Sequence, residues 1–370
     1  MKRMRAGVIG AGLISDIYIS NLLGRFAGQI ELVSVSSRGM RSAEAKAAKY
    51  GIIARSVSET LADPGIELVI VLTPVGSHEG LIRAALEAGK HVYTEKTVTD
   101  DPAAARELLR LAEEKGLSLC AAPDTFLGSS LQTARRALDS GMLGEVNSFA
   151  ISSTRCNDYF LSHYPFLREP GCGVLYDYAV YYMTALVSLL GPVEAVSGFC
   201  AVPYPVHIDS NEQSPGFGKP MDTPNESQVS AALRMRSGVL GTLHVDSDNT
   251  ISDEAYFRIY GTKGTLVLGD PNRFGGEVSF IPAATRKGQK TEPRVLEQVS
   301  EFSDNCRGIG PAEMAEALSE GRKPLTDASL ACHVLDALNG ILEASEDLRV
   351  VGIGSSCERP APFEELRQLR

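Results

Sequence analysis

The chain has 370 residues, of which 44% are hydrophobic and 22% charged, with a formal net charge of −10. That length accommodates two domains with separate cores, in the proportions of an ordinary soluble globular protein. The acidic balance argues against a nucleic-acid surface, which needs a basic patch, and no apolar run reaches the roughly 20 residues that span a bilayer.

Seven cysteines (Cys120, Cys156, Cys172, Cys200, Cys306, Cys332, Cys357) are odd in number, widely spread and without a C-x-x-C pair. Disulfide frameworks and zinc sites show closer, paired spacing, so the expectation is reduced, mostly buried thiols in a cytoplasmic protein. The start Met1-Lys2-Arg3-Met4-Arg5 has the basic character of a signal peptide. Gly10, Gly12 and Asp16 break the apolar stretch behind it, which argues against that reading.

In chain order, an apolar strand over 4–9 runs into Gly10-Ala11-Gly12-Leu13-Ile14-Ser15. Ile14, Ile17, Tyr18 and Leu22 then recur at helical spacing, which places the glycines at a strand-to-helix turn. A strand over 30–36 leads to a helix over 41–50, stopped by Gly51. A continuous apolar strand over 67–72 ends at Thr73-Pro74, and an amphipathic helix over 78–88 stops at Gly89. A strand over 90–93, a helix opened by Asp101-Pro102 and a strand over 118–121 complete the series. Apolar strands alternating with helices mean a parallel sheet covered on both faces, a doubly wound α/β Rossmann domain over 1–122.

From residue 123 the pattern changes. Helices over 131–140 and 175–190 are followed by period-two runs at 229–235, 239–245, 256–260 and 265–268. Arg236-Ser237-Gly238 and Gly261-Thr262-Lys263-Gly264 mark turns between them. Residues 203–225, dense in Pro, Gly, Ser and Asn, read as a long loop, and a last helix over 329–344 shows Leu330, Val334, Leu338 and Ile341 on one face. The domain over 123–370 is thus α+β, with a large, mostly antiparallel open sheet and the substrate-binding role. An open sheet needs its second face covered, so a homodimer or homotetramer is expected.

A Gly-x-Gly-x-x-Ser string is a weak signal alone and a stronger one between a strand and a helix. Gly10 permits the tight turn, Gly12 lets backbone approach a pyrophosphate, and Ser15 is small enough for close helix packing. The bland alternative is a glycine turn without a ligand. Where an NAD site places Asp or Glu, after the second strand, this chain has Ser36-Ser37-Arg38, with Arg41 close behind. A hydroxyl beside a guanidinium suits a 2′-phosphate, which favours NADP over NAD. Alternatively, Arg38 stacks on adenine and accepts both.

Further segments are Thr73-Pro74-Val75-Gly76-Ser77-His78, His91-Val92-Tyr93-Thr94-Glu95-Lys96-Thr97 and Gly171-Cys172-Gly173-Val174-Leu175-Tyr176-Asp177-Tyr178-Ala179-Val180-Tyr181-Tyr182. With the glycine turn and Tyr260-Gly261-Thr262-Lys263-Gly264-Thr265, they resemble the glucose–fructose oxidoreductase, inositol dehydrogenase and rhizopine-catabolism (Gfo/Idh/MocA) family over nearly the whole chain. The resemblance implies an NAD(P)-dependent oxidoreductase acting on a sugar, cyclitol or related polyol. It places the cofactor against the glycine turn with Leu13 and Ile14, against Ser37 and Arg38, and against Thr73, Pro74, His78, Glu95 and Lys96.

Lys96 occupies the family's Glu-Lys-Pro position, where its ammonium polarises the substrate oxygen. Thr97 replaces the proline and loosens the turn after Lys96. The family's Asp-x-Gly-x-His reads Asp177-Tyr178-Ala179-Val180-Tyr181 here, as in branches that carry Tyr for His. Four-residue spacing on a helix turns Asp177 and Tyr181 to one face. Tyr181 is then the proton donor or acceptor, helped by the Lys96 cation, and Asp177 orients a substrate hydroxyl or Lys96. Tyr178, Tyr181 and Tyr182 also fit a set of packed aromatics, with Tyr182 as the alternative phenol.

His78 serves equally as a cofactor neighbour or as a capping and packing residue. Arg155, Asn157, Asp158 and His163, before the Asp177 helix, fit either a sugar pocket or an exposed loop, and His163 is the second choice of acid/base. No cluster has metal spacing, and hydride transfer to nicotinamide needs no metal. Two other functions stay open: a redox-cycling, glycoside-cleaving enzyme that retains NAD(P), and a non-catalytic nucleotide or sugar sensor on the same fold. Retention of Lys96, Asp177 and a phenol at 181 argues against the sensor.

Overall fold

The computed structural model describes residues 3–169, 171–249, 255–285 and 289–363, so Met1 and Lys2 of the basic start lie outside it. Two compact units form, the first around residues 3–127 and Asp304–Cys332, the second around Gly128–Ser303 and His333–Pro362. Among the described residues no helix is long and apolar enough to cross a membrane.

The first unit contains strands Met4–Ile9 (β1), Ile30–Ser36 (β2), Ile53–Arg55 (β3), Leu68–Val71 (β4), His91–Thr94 (β5) and Leu119–Ala121 (β6). Among the described residues they pair in parallel, in the order β3-β2-β1-β4-β5-β6. Burial on both faces explains the apolar runs: Val8, Ile9, Val69, Ile70, Val71, Val92 and Tyr93 are all buried. The order reverses between β1 and β4, so the loops after these strands part, which is where such sheets take ligands.

Local chemistry sets the helix ends. Gly51 closes Met40–Tyr50 at φ 69°, and Asp101 accepts the Ala103 amide ahead of Pro102–Glu114. The sequence reading lacks β3, three residues long, and the helix Val57–Ala62. Ser56 and Glu59 form a capping box at that helix, so its start signal was present.

The helix Ile309–Ser319 joins the first unit, although a division at 122/123 assigns it to the second domain. Asp124 accepts the Gly310 amide at 3.0 Å at the start of this helix, and the Ala121 amide donates to the Thr326 carbonyl. Such long-range capping leaves no periodic trace in sequence.

Burial raises the Asp124 carboxyl from 3.8 to about 6, despite the Gly310 amide and the Arg307 cation. A carboxyl raised on folding makes the native state bind the extra proton, so its contribution falls as pH rises from 3.8 through 6. Asp124→Asn removes that loss. Relative to the wild type, its unfolding free energy should rise by about 2 kcal/mol between about pH 4 and pH 8, read by denaturant titration. A pH-independent difference contradicts this.

The second unit adds Val146–Thr154 (β7), Val193–Ala201 (β8), Val206–Ile208 (β9), Pro220–Asp222 (β10), Gln228–Met235 (β11), Leu240–Asp246 (β12), Tyr256–Gly261 (β13), Gly264–Leu268 (β14), Ser279–Pro282 (β15), Arg294–Val295 (β16) and Val351–Gly352 (β17). Nine of these form a sheet among the described residues, ordered β16-β15-β14-β13-β7-β12-β11-β8-β17, in which β7 and β12 run parallel and the other pairs antiparallel. Alternation is plain in β11, which buries Val229, Ala231, Leu233 and Met235 and exposes the residues between. β9 and β10 pair as a small ribbon inside the expected loop 203–225. The expectation of mostly buried thiols holds for Cys120, Cys306 and Cys332, while the other four are half-buried.

Candidate active site

Gly10 ends β1 at φ 123°, its amide donating to the Ser36 carbonyl at 2.8 Å. A Cβ there would lie 2.5 Å from the Leu72 carbonyl oxygen, so conformation and space both require glycine. Gly12 is the opposite case, with nothing within 4 Å of where a Cβ would stand. Its carbonyl accepts the buried Ser15 hydroxyl at 2.6 Å. Leu13 is exposed, and the helix Ile14–Leu23 starts with no side-chain cap. An uncapped helix N-terminus beside a bare glycine accepts an anion, so these residues fit a dinucleotide pyrophosphate.

At the end of β2, Ser36 is buried with its hydroxyl on the Val8 carbonyl, while Ser37 Oγ donates to the Gly39 carbonyl at 2.7 Å. Arg38 and Arg41 are exposed beyond it.

After β5 the chain is tightly held. Glu95, expected at the cofactor, directs its carboxylate inward: Oε1 accepts the Tyr18 hydroxyl at 2.8 Å and Oε2 the Lys96 amide at 3.0 Å. It therefore fixes the backbone of Lys96. Thr97 is buried, and its hydroxyl donates to the Thr99 carbonyl at 2.7 Å. Its own carbonyl faces His78 Nδ1 at 2.7 Å, and His78 Nε2 stands 2.7 Å from the Thr73 carbonyl. The slack expected from Thr97 is taken up by these bonds. Ser77 Oγ reaches Thr73 Oγ1 and the Pro74 carbonyl, both at 2.8 Å, and so closes the loop after β4. Burial pushes the His78 ring down from the ordinary histidine range, against the pull of its two carbonyls and Glu95.

In the second unit, Asp177 lies in a π-helical turn, Leu175–Ala179, that continues as the α-helix Val180–Leu190. The expected single α-helix over 175–190 is thus corrected, and α-helical spacing does not carry from Asp177 to Tyr181. The Asp177 carboxylate pairs with Arg155 Nη1 at 2.8 Å, both side chains almost buried. Arg155 Nε donates to Ser247 Oγ at 3.0 Å, and its guanidinium lies over the Phe160 and Tyr178 rings. Arg155 is therefore engaged by the protein and holds Asp177.

Asn157 is buried and opens the helix Asn157–His163, where an exposed loop was the other reading. Asp158 binds His207 of β9 at 2.6 Å. His163 stacks on Tyr159 at 4.2 Å, its Nδ1 facing the Tyr159 carbonyl at 2.8 Å. Tyr181 is buried to 9% exposure. Tyr182, the alternative phenol, is fully buried in a hydroxyl triangle with Ser153 and Tyr178, and burial pushes it far above the usual tyrosine range. It is a structural tyrosine.

Sequence reasoning missed Glu226. Its carboxylate accepts the Leu175 amide at 3.1 Å and its carbonyl the Val174 amide at 2.9 Å, capping the turn that carries Asp177. A Cβ on Gly173 would fall 2.1 Å from that carboxylate, so a larger residue there would displace it. The Gly171-Cys172-Gly173 string is visible in the sequence, but it does not name the partner.

Residues 4–122 match the oxidoreductase family with an NAD-binding Rossmann fold, and 131–267 match the GFO/IDH/MocA C-terminal domain. An uncharacterized oxidoreductase of Schizosaccharomyces pombe is 30% identical over 53% of this chain and 54% of its own length. The NADP(+)-dependent scyllo-inositol 2-dehydrogenase of Bacillus subtilis is 28% identical over 52% and 54%. In both cases the chain spans about half the length of the relative it matches. A levoglucosan dehydrogenase solved with NADH has the same fold, with a TM-score of 0.83 at 16% identity over 96% of this chain and 100% of that one. Two family domains in order, the glycine turn that fits a pyrophosphate and the braced lysine after β5 lead to one assignment: the chain belongs to the Gfo/Idh/MocA family of oxidoreductases.

Proposed function

We propose that the protein is an NAD(P)-dependent dehydrogenase or reductase, NADP preferred, that interconverts a CH–OH and a C=O carbon of a sugar, cyclitol or related polyol. The observation that carries the reading is Lys96, braced by Glu95 and His78 on the same sheet as the Gly10–Gly12 turn. The substrate class follows what the relatives are named for, an inositol in one and levoglucosan in another.

Gly10, Gly12, Leu13 and Ile14 would hold the pyrophosphate, with Ser37 and Arg38 on the 2′-phosphate and Thr73 and Pro74 lining the nicotinamide side. When bound, nicotinamide supplies the hydride acceptor or donor. Lys96 donates a hydrogen bond to the substrate oxygen and stabilises its developing charge. Tyr181 takes or gives the hydroxyl proton, and Asp177, held by Arg155, accepts a neighbouring substrate hydroxyl. The test is a panel of inositols, aldoses and anhydrosugars with NADP+ and NAD+, followed by nicotinamide absorbance. Reduction of NADP+ by a panel member is expected. Bond cleavage without net reduction would instead favour the glycoside-cleaving reaction.

We further propose a homo-oligomer through the open face of the second sheet. The registers place Phe199, Ser230, His244, Ser152 and Tyr256 in one row across five strands, and Phe199 and Tyr256 are exposed there. Light scattering at micromolar protein should give a dimer or tetramer; a monomer refutes it.

A further inference from the structure

His78 has no exposed surface, and each ring nitrogen stands 2.7 Å from a backbone carbonyl oxygen, Nδ1 from Thr97 and Nε2 from Thr73. Carbonyl oxygens only accept. A neutral imidazole carries a proton on one nitrogen and a bare lone pair on the other. One of the two contacts would then set lone pair against lone pair at hydrogen-bond distance. Both contacts are attractive only for the imidazolium, which donates twice.

The charged groups that bear on the ring are Glu95, which favours the charge, and Lys96, which opposes it. Burial also opposes it. Against that penalty stand the two contacts at 2.7 Å, which favour the protonated ring because both partners can only accept.

The two carbonyls belong to the loops that leave β4 and β5, which are neighbours in the sheet. Thr73 follows β4, and Thr97 follows Lys96 after β5. We propose that His78 is a positioning residue, a doubly protonated clamp that joins Thr73 to Thr97 and so sets the backbone carrying Lys96. The proposal rests on the reading of Lys96 given above. It assigns the turn's rigidity to a side chain at the end of the loop after the neighbouring strand, nineteen positions before Thr97, where the family's proline is missing.

The protonation state is read by nitrogen-15 NMR of the full chain labelled at histidine, with His78 assigned by the signal lost in His78→Gln. Both ring nitrogens should be protonated at neutral pH, with protons slow to exchange. A ring with one bare nitrogen overturns the clamp. Kinetically, His78→Gln and His78→Asn should lower kcat by roughly 10–100-fold on the polyol found in the panel, with NADPH affinity changed less than about threefold. Unchanged kcat in a folded variant removes the positioning role. The NMR result stands apart from the functional reading: wild-type protein that binds no NADPH defeats that reading, whereas a neutral ring defeats the clamp.

Discussion

Replacing Lys96 by alanine should lower turnover by roughly 10²–10⁴-fold while NADPH affinity stays within about threefold. The bonds that shape this turn are made by backbone, through the Lys96 amide to Glu95 and the Thr97 carbonyl to His78, so alanine leaves them in place. What goes is the ammonium and its hydrogen bond to the substrate oxygen. Because that bond strengthens as charge develops, the loss falls on kcat more than on KM. Lys96→Arg keeps the charge but presents it on a longer, planar group, and should recover little of the rate. Steady-state kinetics on the substrate from the panel decide it, and full activity in Lys96→Ala would remove this residue from the chemistry.

Tyr181→Phe should slow turnover by a comparable factor, roughly 10²–10⁴. The side chain is buried, so phenylalanine keeps its packing, and the folded state should be little affected. A general acid or base lost without misfolding changes the pH profile as well as the rate. The limb of the kcat profile assigned to the phenol should vanish in the variant. If Tyr181→Phe keeps full activity, the proton passes to His163 or to water.

The two units were legible to different degrees. Alternating apolar strands and helices over 4–122 sufficed for the parallel sheet, because strands buried on both faces are apolar throughout. The glycine turn could be read residue by residue, since its φ and its clearance from Leu72 are properties of backbone alone. The π-helical turn at Leu175–Ala179 was not legible, and Glu226, which caps its start, is remote in sequence. For Arg155 the polarity was visible in sequence, while its partners Asp177 and Ser247 were not. Glu95 is similar: the motif was visible, and the partners of its carboxylate, Tyr18 and the Lys96 amide, were not.

The most direct measurement is titration of the purified protein with NADPH and with NADH, followed by nicotinamide fluorescence. Saturable NADPH binding, with NADH at least about tenfold weaker, is the expected result for a pyrophosphate on the Gly10–Gly12 turn and a 2′-phosphate at Ser37 and Arg38. Equal binding would reduce Arg38 to an adenine contact, and binding of neither would contradict the account at its root.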